Sequence, residues 1–225
     1  MRKALCGSVA VLTGFLMFPM QVSEMQPNLD PPGTIQLPAP SRSGVVSLEE
    51  ALAQRRSVRE FSRGDLTLPQ LSQLLWAAQG ITSREGYRTA PSAGALYPLE
   101  TYVVVPAGLY HYTPVRHQLN LVSAGDFRRP LFRAALEQQA IIEASAVFVI
   151  AAVYERTARK YGPARAERYA HLEAGHAAQN LLLEAVALGL GAVPMGAFQD
   201  AEVKKLLEFP RNCEPLYLIP VGTPR

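Results

Sequence analysis

The chain carries only two cysteines in 225 residues, Cys6 and Cys213, and no C-x-x-C spacing. A disulfide framework and a thiolate metal cage are therefore excluded, and Cys213 reads as a reduced, partly buried small hydrophobe. Strong charge of either sign is also missing, since 22 basic against 19 acidic residues leave a formal charge of +3. So mild and dispersed a balance gives no footprint for a nucleic acid, though it suffices to attract anionic cofactors. No internal repeat is present, and no low-complexity segment beyond one proline-rich stretch. Ser92 lacks a nucleophile-elbow setting with His and Asp partners, so serine hydrolysis has no support. His171 and His176 stand five apart, roughly 140° around a helix, and do not share a metal-binding face.

At 48% hydrophobic and 18% charged residues, the chain has the composition for one globular core. Residues 1–22 stand apart from it. Arg2 and Lys3 precede an apolar stretch from Ala4 to Met20, the order of an export signal's first two regions. The stretch is short of the roughly twenty apolar residues of a comfortable membrane span, contains Gly7, Gly14 and Pro19, and is followed by no A-x-A cleavage site. A removed signal and a retained membrane tether with an outward-facing domain both stand as readings. Cys6 lacks the preceding small-residue pattern of a lipoprotein signal. A start at Met17, Met20 or Met25 is the other reading, and it makes the protein cytoplasmic rather than exported or anchored. Residues 23–45, with Pro27, Pro31, Pro32, Pro38 and Pro40, read as a semi-rigid linker with little fixed structure before about Val45. Residues 46–225 then form the folded domain.

Within that domain helices and strands alternate. Ser47 with Glu50 opens a helix over Leu48 to about Gln54, and Thr67 with Gln70 opens another bearing Leu71, Leu74, Leu75 and Ala78 on one face. Asp126 caps a helix that reaches about Gln139, and a long helix runs from about Ala164 to Leu188. Ala146–Tyr154, Ala192–Phe198 and Pro215–Val221 read as strands. On the long helix Ala170, Ala174 and Ala178 form a small-residue stripe, beside Gly175, which costs about 1 kcal/mol against alanine and so implies a packing reason.

The chemistry lies in short segments. Past the first helix, Arg55-Arg56-Ser57-Val58-Arg59 is free to extend, which turns Arg55, Ser57 and Arg59 to one side. Two guanidinium forks around a hydroxyl suit a phosphate dianion, while a solvated basic face at a helix end fits the same residues. Pro91-Ser92-Ala93-Gly94-Ala95 has little bulk and a glycine free to take positive φ, so its backbone can approach a flat ring; an ordinary Pro/Gly turn fits as well. Gly189-Leu-Gly191 ends a helix and enters a strand, the reverse of the dinucleotide-binding order, which excludes that reading.

The ordered set RRSVREF, LLWAAQGI (74–81), RTAPSAGALYP (88–98), GLYHY (108–112), the segment 155–198 and the closing PLYLIPVG (215–222) resembles the nitroreductase superfamily. Its SagB-type branch, the thiazole/oxazole-forming dehydrogenases, is the most similar. The resemblance covers residues 45–225. It implies an α+β fold, an α/β/α sandwich on a mixed, mainly antiparallel sheet, with FMN as cofactor. It also implies a homodimer with flavin at the subunit interface, the long helix lying there. Arg55, Arg56, Ser57 and Arg59 then hold the phosphate, with Pro91, Ser92, Ala93, Gly94, Pro194, Met195, Gly196 and Ala197 against the ring and Gln139 near it. A backbone N–H at Gly196 or Ala197 is then available to the ring's redox-active nitrogen.

The same resemblance makes Lys160 and Tyr161 the catalytic pair, removing a proton while hydride leaves an azoline ring. Tyrosine ordinarily titrates near 10, so cationic neighbours such as Arg156, Arg159, Arg165 and Arg168 are needed for it to act as a base; a solvated basic patch with one packed tyrosine is the alternative. Many nitroreductases carry Asn where Ala95 stands and Gln where Tyr97 stands, and loss of those side chains weighs against ordinary nitroaromatic reduction. The function expected is an FMN-dependent dehydrogenase or reductase, acting on azoline rings of a peptide in its narrower form. An NAD(P)H-dependent reductase of a small molecule and a catalytically silent tethered binding protein are the alternatives.

Overall fold

The run AVFVIAA, buried at every position, is a strand flanked on both edges and covered on both faces. In the computed structural model of the chain, which describes residues 33–225, this strand (β5, Ala146–Ala152) pairs antiparallel with β2 (Leu99–Val105) and β7 (Glu214–Gly222). The seven-stranded sheet is completed by β3 (Gly108–Thr113), β4 (Gln118–Ala124), β1 (Thr34–Gln36) and β6 (Gly191–Ala192), in the order β1-β4-β3-β2-β5-β7-β6. All named pairs are antiparallel, and the one parallel bridge, Ser57 to Ala192, makes the sheet mixed.

The period-two alternation of β5 sorts the core into two layers. Phe148 and Ile150 pack against α2 (Leu68–Gln79) and α6 (Pro163–Ala187) on one face. Val147 and Val149 pack against α3 (Arg128–Ala134), α4 (Ala140–Glu143) and α7 (Asp200–Leu206) on the other. Each fully buried side chain of this kind contributes about 1.5–3 kcal/mol. The helices α1 (Leu48–Gln54) and α5 (Tyr154–Tyr161) complete the α+β sandwich that the sequence implied. Thr67 and Gln70 form the reciprocal capping box of α2, whereas at α1 Ser47 accepts from the Glu50 N–H.

Three sequence expectations are corrected. Little fixed structure was expected before Val45, yet Thr34–Gln36 adds an edge strand to β4 and Leu37 is buried. Ile35 and Leu37 sit two apart and give that strand an apolar side. The helix expected to reach Gln139 breaks after Ala134, because Leu136 and Glu137 both take positive φ, and α4 resumes at Ala140. The strand expected over Ala192–Phe198 stops at Ala192: Val193 still donates to the Pro220 carbonyl (3.2 Å), but Pro220 has no N–H to return, and two-way pairing resumes where Met195 exchanges two bonds with Leu218 (2.8 and 3.0 Å). Gly175, expected to have a packing reason, finds none inside the fold: a Cβ there meets nothing within 4 Å among the described residues, so any such contact comes from outside them. Ala170, Ala174 and Ala178 are buried in the chain's own core, so their stripe is not an outer seam. Residues 1–22, read as a leader, and the linker before residue 33 lie outside the described residues.

Candidate active site

The Arg55–Arg59 segment runs along the β6 edge of the sheet. The Val58 N–H donates to the Ala192 carbonyl at 3.0 Å, and Val58 packs so closely on Gly191 that a Cβ there would stand 2.7 Å from it. With Val58 turned inward, Ser57 and Arg59 face solvent and Arg55 is half-buried, as period two requires. Arg56 departs from the group: its Nη1 folds back to the carbonyls of Ala53 (3.0 Å) and Arg55 (2.8 Å), where it serves the open end of α1. Among the described residues neither Arg55 nor Arg59 has a carboxylate partner.

The small-residue loop is held from beneath. Ser92 precedes a 3-10 turn over Ala93–Ala95, and its Oγ accepts the Tyr97 N–H at 2.9 Å. Gly94 takes φ +63°, and Ala95 (53°) and Tyr97 (47°) follow it into the left-handed region. Two side-chain-bearing residues in that region cost of order 1–3 kcal/mol each, so the surroundings fix the loop. Arg88 stacks its guanidinium 4.4 Å from the Tyr97 ring centroid and donates to Gln79 Oε1 at 2.7 Å. Arg156 Nη1 donates to the Tyr97 carbonyl at 3.0 Å and pairs with Glu100, whose other oxygen lies 2.6 Å from His111 Nε2. Burial alone would raise the Glu100 carboxyl, but His111 and Arg156 outweigh it and hold it below its usual range.

Lys160 and Tyr161 end α5 against this loop. A Cβ on Gly94 would lie 2.9 Å from Tyr161 Oη and 3.1 Å from Lys160 Nζ, so both functional atoms converge on the one loop position that lacks a side chain. Tyr161 is held edge-on to Tyr169, ring centroids 5.1 Å apart, with Lys160 Nζ 5.4 Å from the Tyr161 centroid. The structure therefore unites Pro91–Ala95 with Lys160 and Tyr161, segments more than sixty residues apart in sequence.

Sequence reasoning missed Glu173. It lies on α6 at 2% exposure beside the Ser92 hydroxyl and Arg88, and its Oε1 has no hydrogen-bond partner among the described residues. Burial pushes the carboxyl up to about 7, against the pull of Ser92 and Arg88. An acidic residue among Ala170, Ala174 and Ala177 at helical spacing was the available signal.

The third segment, Pro194–Ala197, continues from β6 along β7. Met195 is buried, while Gly196 and Ala197 are exposed. Gly196 opens onto a cavity of about 450 Å³ shared with Tyr154, His171 and Tyr217. Tyr154 Oη is 3.0 Å from His171 Nε2, and burial pushes the phenol up to about 12. Gln138 donates to the Ala197 carbonyl at 2.8 Å, whereas Gln139 lines a different cavity of about 530 Å³ with Arg63, Arg128 and Arg225.

The arginine segment and the loop lie far apart in one chain. Ser57 sits at Ala192, opposite the end of β7, whereas Pro98 and Leu99 adjoin Val153 and Ala152, opposite its start. That strand spans about 26 Å at ~3.3 Å per residue. Along α6, Glu173 beneath Ser92 precedes Ala187 at the β6 end by about 21 Å at ~1.5 Å per residue. The two rulers agree.

Comparison with known proteins gives these segments a context. A sequence model described as the nitroreductase family matches residues 52–223. Protein MJ1384 of Methanocaldococcus jannaschii is 47% identical over 183 residues, covering 79% of this chain and 91% of that protein. A crystal structure from Ralstonia eutropha is 34% identical at a TM-score of 0.78, covering 86% of this chain and 90% of that one. Both bear the name "putative nitroreductase". Two further structures share the fold at 23% identity. The NADPH:FMN oxidoreductase of Vibrio harveyi, complexed with NAD+, has a TM-score of 0.60 and covers 79% of this chain and 68% of that one. The Escherichia coli microcin synthetase McbBCD complex with truncated pro-MccB17 bound has a TM-score of 0.65 and covers 95% and 85%.

Proposed function

Because this chain belongs to the nitroreductase family, we propose that it is an FMN-dependent dehydrogenase of the SagB-like, azole-forming branch, acting as a homodimer in which two copies hold each flavin. The residues present fit the group. Arg55 and Arg59, without carboxylate partners among the described residues, flank the exposed Ser57 and suit a phosphate dianion. Exposed backbone at Gly196 and Ala197 leaves room for a flat ring and offers an N–H to its redox-active nitrogen. The Ser92–Ala95 turn presents a surface without bulk for the other face. Because more than 20 Å separates the arginine segment from the turn in one chain, the turn comes from a second copy. Leu48 and Leu52 on α1 and Leu172 on α6 are large apolar side chains left exposed, and they give such a copy a face to bury.

The convergence of Lys160 Nζ and Tyr161 Oη on Gly94 carries the reading. It sets a proton acceptor beside the turn against which the ring rests. When bound, FMN supplies acceptance of a hydride, which side chains alone do not provide. In converting an azoline to an azole the ring loses a hydride and a proton. Tyr161 oxygen takes the proton, and the Lys160 ammonium beside it stabilises the negative charge that makes the oxygen basic. Product then leaves, and a separate electron acceptor enters in the next step. The fold likeness to a synthetase complex with a bound pro-peptide supports a peptide as substrate.

Reconstitution of the purified chain tests this. One FMN per chain, a dimer in sedimentation, and anaerobic bleaching by an azoline peptide are expected. Bleaching by NADPH or NADH and not by the peptide would replace the dehydrogenase with a reductase. Absence of a yellow chromophore would leave a silent binding protein of the same fold.

A further inference from the structure

We propose that Glu173 is a positioning residue whose protonation state decides whether the Ser92 hydroxyl offers its hydrogen or a lone pair to a ligand held on the small-residue loop. This rests on the reading of that loop as part of the flavin site. A serine hydroxyl has one hydrogen and two lone pairs. One lone pair is taken by the Tyr97 N–H, at 2.9 Å. The Glu173 carboxyl lies beside the same hydroxyl on the core side, where it is 2% exposed and its Oε1 has no hydrogen-bond partner among the described residues.

Two arrangements satisfy the count. A neutral carboxyl donates into the second lone pair, and the serine hydrogen is turned outward as a donor. An ionised carboxyl only accepts, so the hydrogen turns inward and a lone pair faces the ligand instead. The charged and titratable groups around Glu173 are few. Arg88, from the segment before the loop, favours the ionised form, but its guanidinium is committed to Gln79 and the Tyr97 face. Glu100 and Arg156 act on Arg88 from β2 and α5. On α6 itself Tyr169 and His176 lie one turn away on either side, and α5 brings Lys160 and Tyr161 to Gly94. Burial opposes these and holds the carboxyl near neutrality in pH, so both arrangements are within reach.

The pyrimidine edge of an isoalloxazine carries more acceptors than donors. An outward serine hydrogen therefore favours it, and flavin binding is linked to a proton on Glu173. The test is FMN affinity, by quenching of flavin fluorescence, between about pH 5.5 and 8.5 in the unsubstituted protein and E173Q. Titration of the flavin phosphate, which falls near pH 6, is common to both and cancels in their ratio. The affinity of the unsubstituted protein relative to E173Q should fall about fivefold across that range, the worth of one neutral hydrogen bond. S92A should abolish that fall, since the effect acts through the hydroxyl. It also carries the test if E173Q does not fold, by losing the part of the pH response centred above the phosphate's own titration. A constant ratio, or a fall that survives S92A, would overturn the proposal while leaving FMN binding intact. No binding of FMN by the unsubstituted protein would overturn the loop's assignment and this proposal with it. A protonated-carboxyl infrared band that persists above pH 6 in the flavin-free protein and is missing in E173Q is expected independently of flavin. Its absence would also sink the idea.

Discussion

The Arg55–Arg59 segment and the Ser92–Tyr97 loop differ in almost every property that governs how a residue can be replaced. The first is extended, mostly exposed, and joined to the sheet edge by one backbone bond at Val58. Its Arg55 and Arg59 have no carboxylate partner among the described residues. The second carries three departures into positive φ, at Gly94, Ala95 and Tyr97, and rests on a polar layer of buried Gln79 and Glu173 with half-buried Arg88 and Arg156. Binding and stability are therefore separable in the segment and entangled in the loop.

The sharpest way to break that contrast is R55A/R59A. Charge-assisted bonds are worth about 1.5–3 kcal/mol each, so the pair should lose FMN affinity by at least a hundredfold. Because both side chains lack carboxylate partners among the described residues, thermal unfolding of the flavin-free protein should move by no more than the ±0.5 kcal/mol typical of surface changes. A comparable loss of stability would show that the arginines are structural and erase the distinction.

Glu173 gives the next largest effect, on the loop side. Its folded-state carboxyl titrates at about 7, against 4.5 for the free group. The sign follows from linkage: the folded chain holds the proton more tightly, so the contribution is full below about 4.5 and is lost as pH rises through 7. The loss amounts to about 3 kcal/mol by pH 8.5. Urea unfolding of the unsubstituted protein should weaken by about 2.5 kcal/mol of this between pH 5 and 8.5, relative to E173Q. Parallel curves for the two would mean that Glu173 is ionised and accommodated throughout.

G94A should cost less, about 1–2 kcal/mol, chiefly from its φ of +63°. The new Cβ meets Tyr161 Oη and the Lys160 side chain at Nζ and Cδ, groups that can shift. Adding Y161F should therefore recover only a few tenths of a kcal/mol in stability. FMN affinity should fall in G94A, whereas a loop variant that unfolds more easily yet binds normally would detach the strain from the site.

The same contrast explains what was legible in the sequence. Segments whose chemistry is local were readable: Ser47 and Thr67 at their helix starts, the apolar run of β5, and the alternation of Arg55, Ser57 and Arg59. Features that depend on tertiary contact were not. The break at Leu136 and Glu137 follows no Gly or Pro, and Gln138, anchored to Ala197 across fifty-nine residues, holds the chain at that bend. Glu173 looked like one more helix carboxylate, and only burial under Ser92 and Arg88 marks it out. The resemblance supplied Lys160 and Tyr161, but adjacency in sequence could not show that both meet Gly94.

The smallest effect tests the second copy on which the two-sided site depends. Gly175 lies in the middle of α6, where glycine costs about 1 kcal/mol against alanine, yet a Cβ at that position meets nothing within 4 Å among the described residues. Among the described residues of one chain there is no contact to justify the glycine, so G175A should stabilise the isolated fold by about 1 kcal/mol. Leu172, one turn earlier and 54% exposed, belongs to the same outer region of the helix. If a second copy packs there, the added methyl forces the two surfaces apart, and dimer dissociation in sedimentation should shift toward monomer even as the monomer gains stability. Opposite signs in the two measurements are the signature of a glycine kept for assembly. Stabilisation with no change in association would move the interface off this face, and the loop would then have to reach the phosphate grip of a neighbour by another surface.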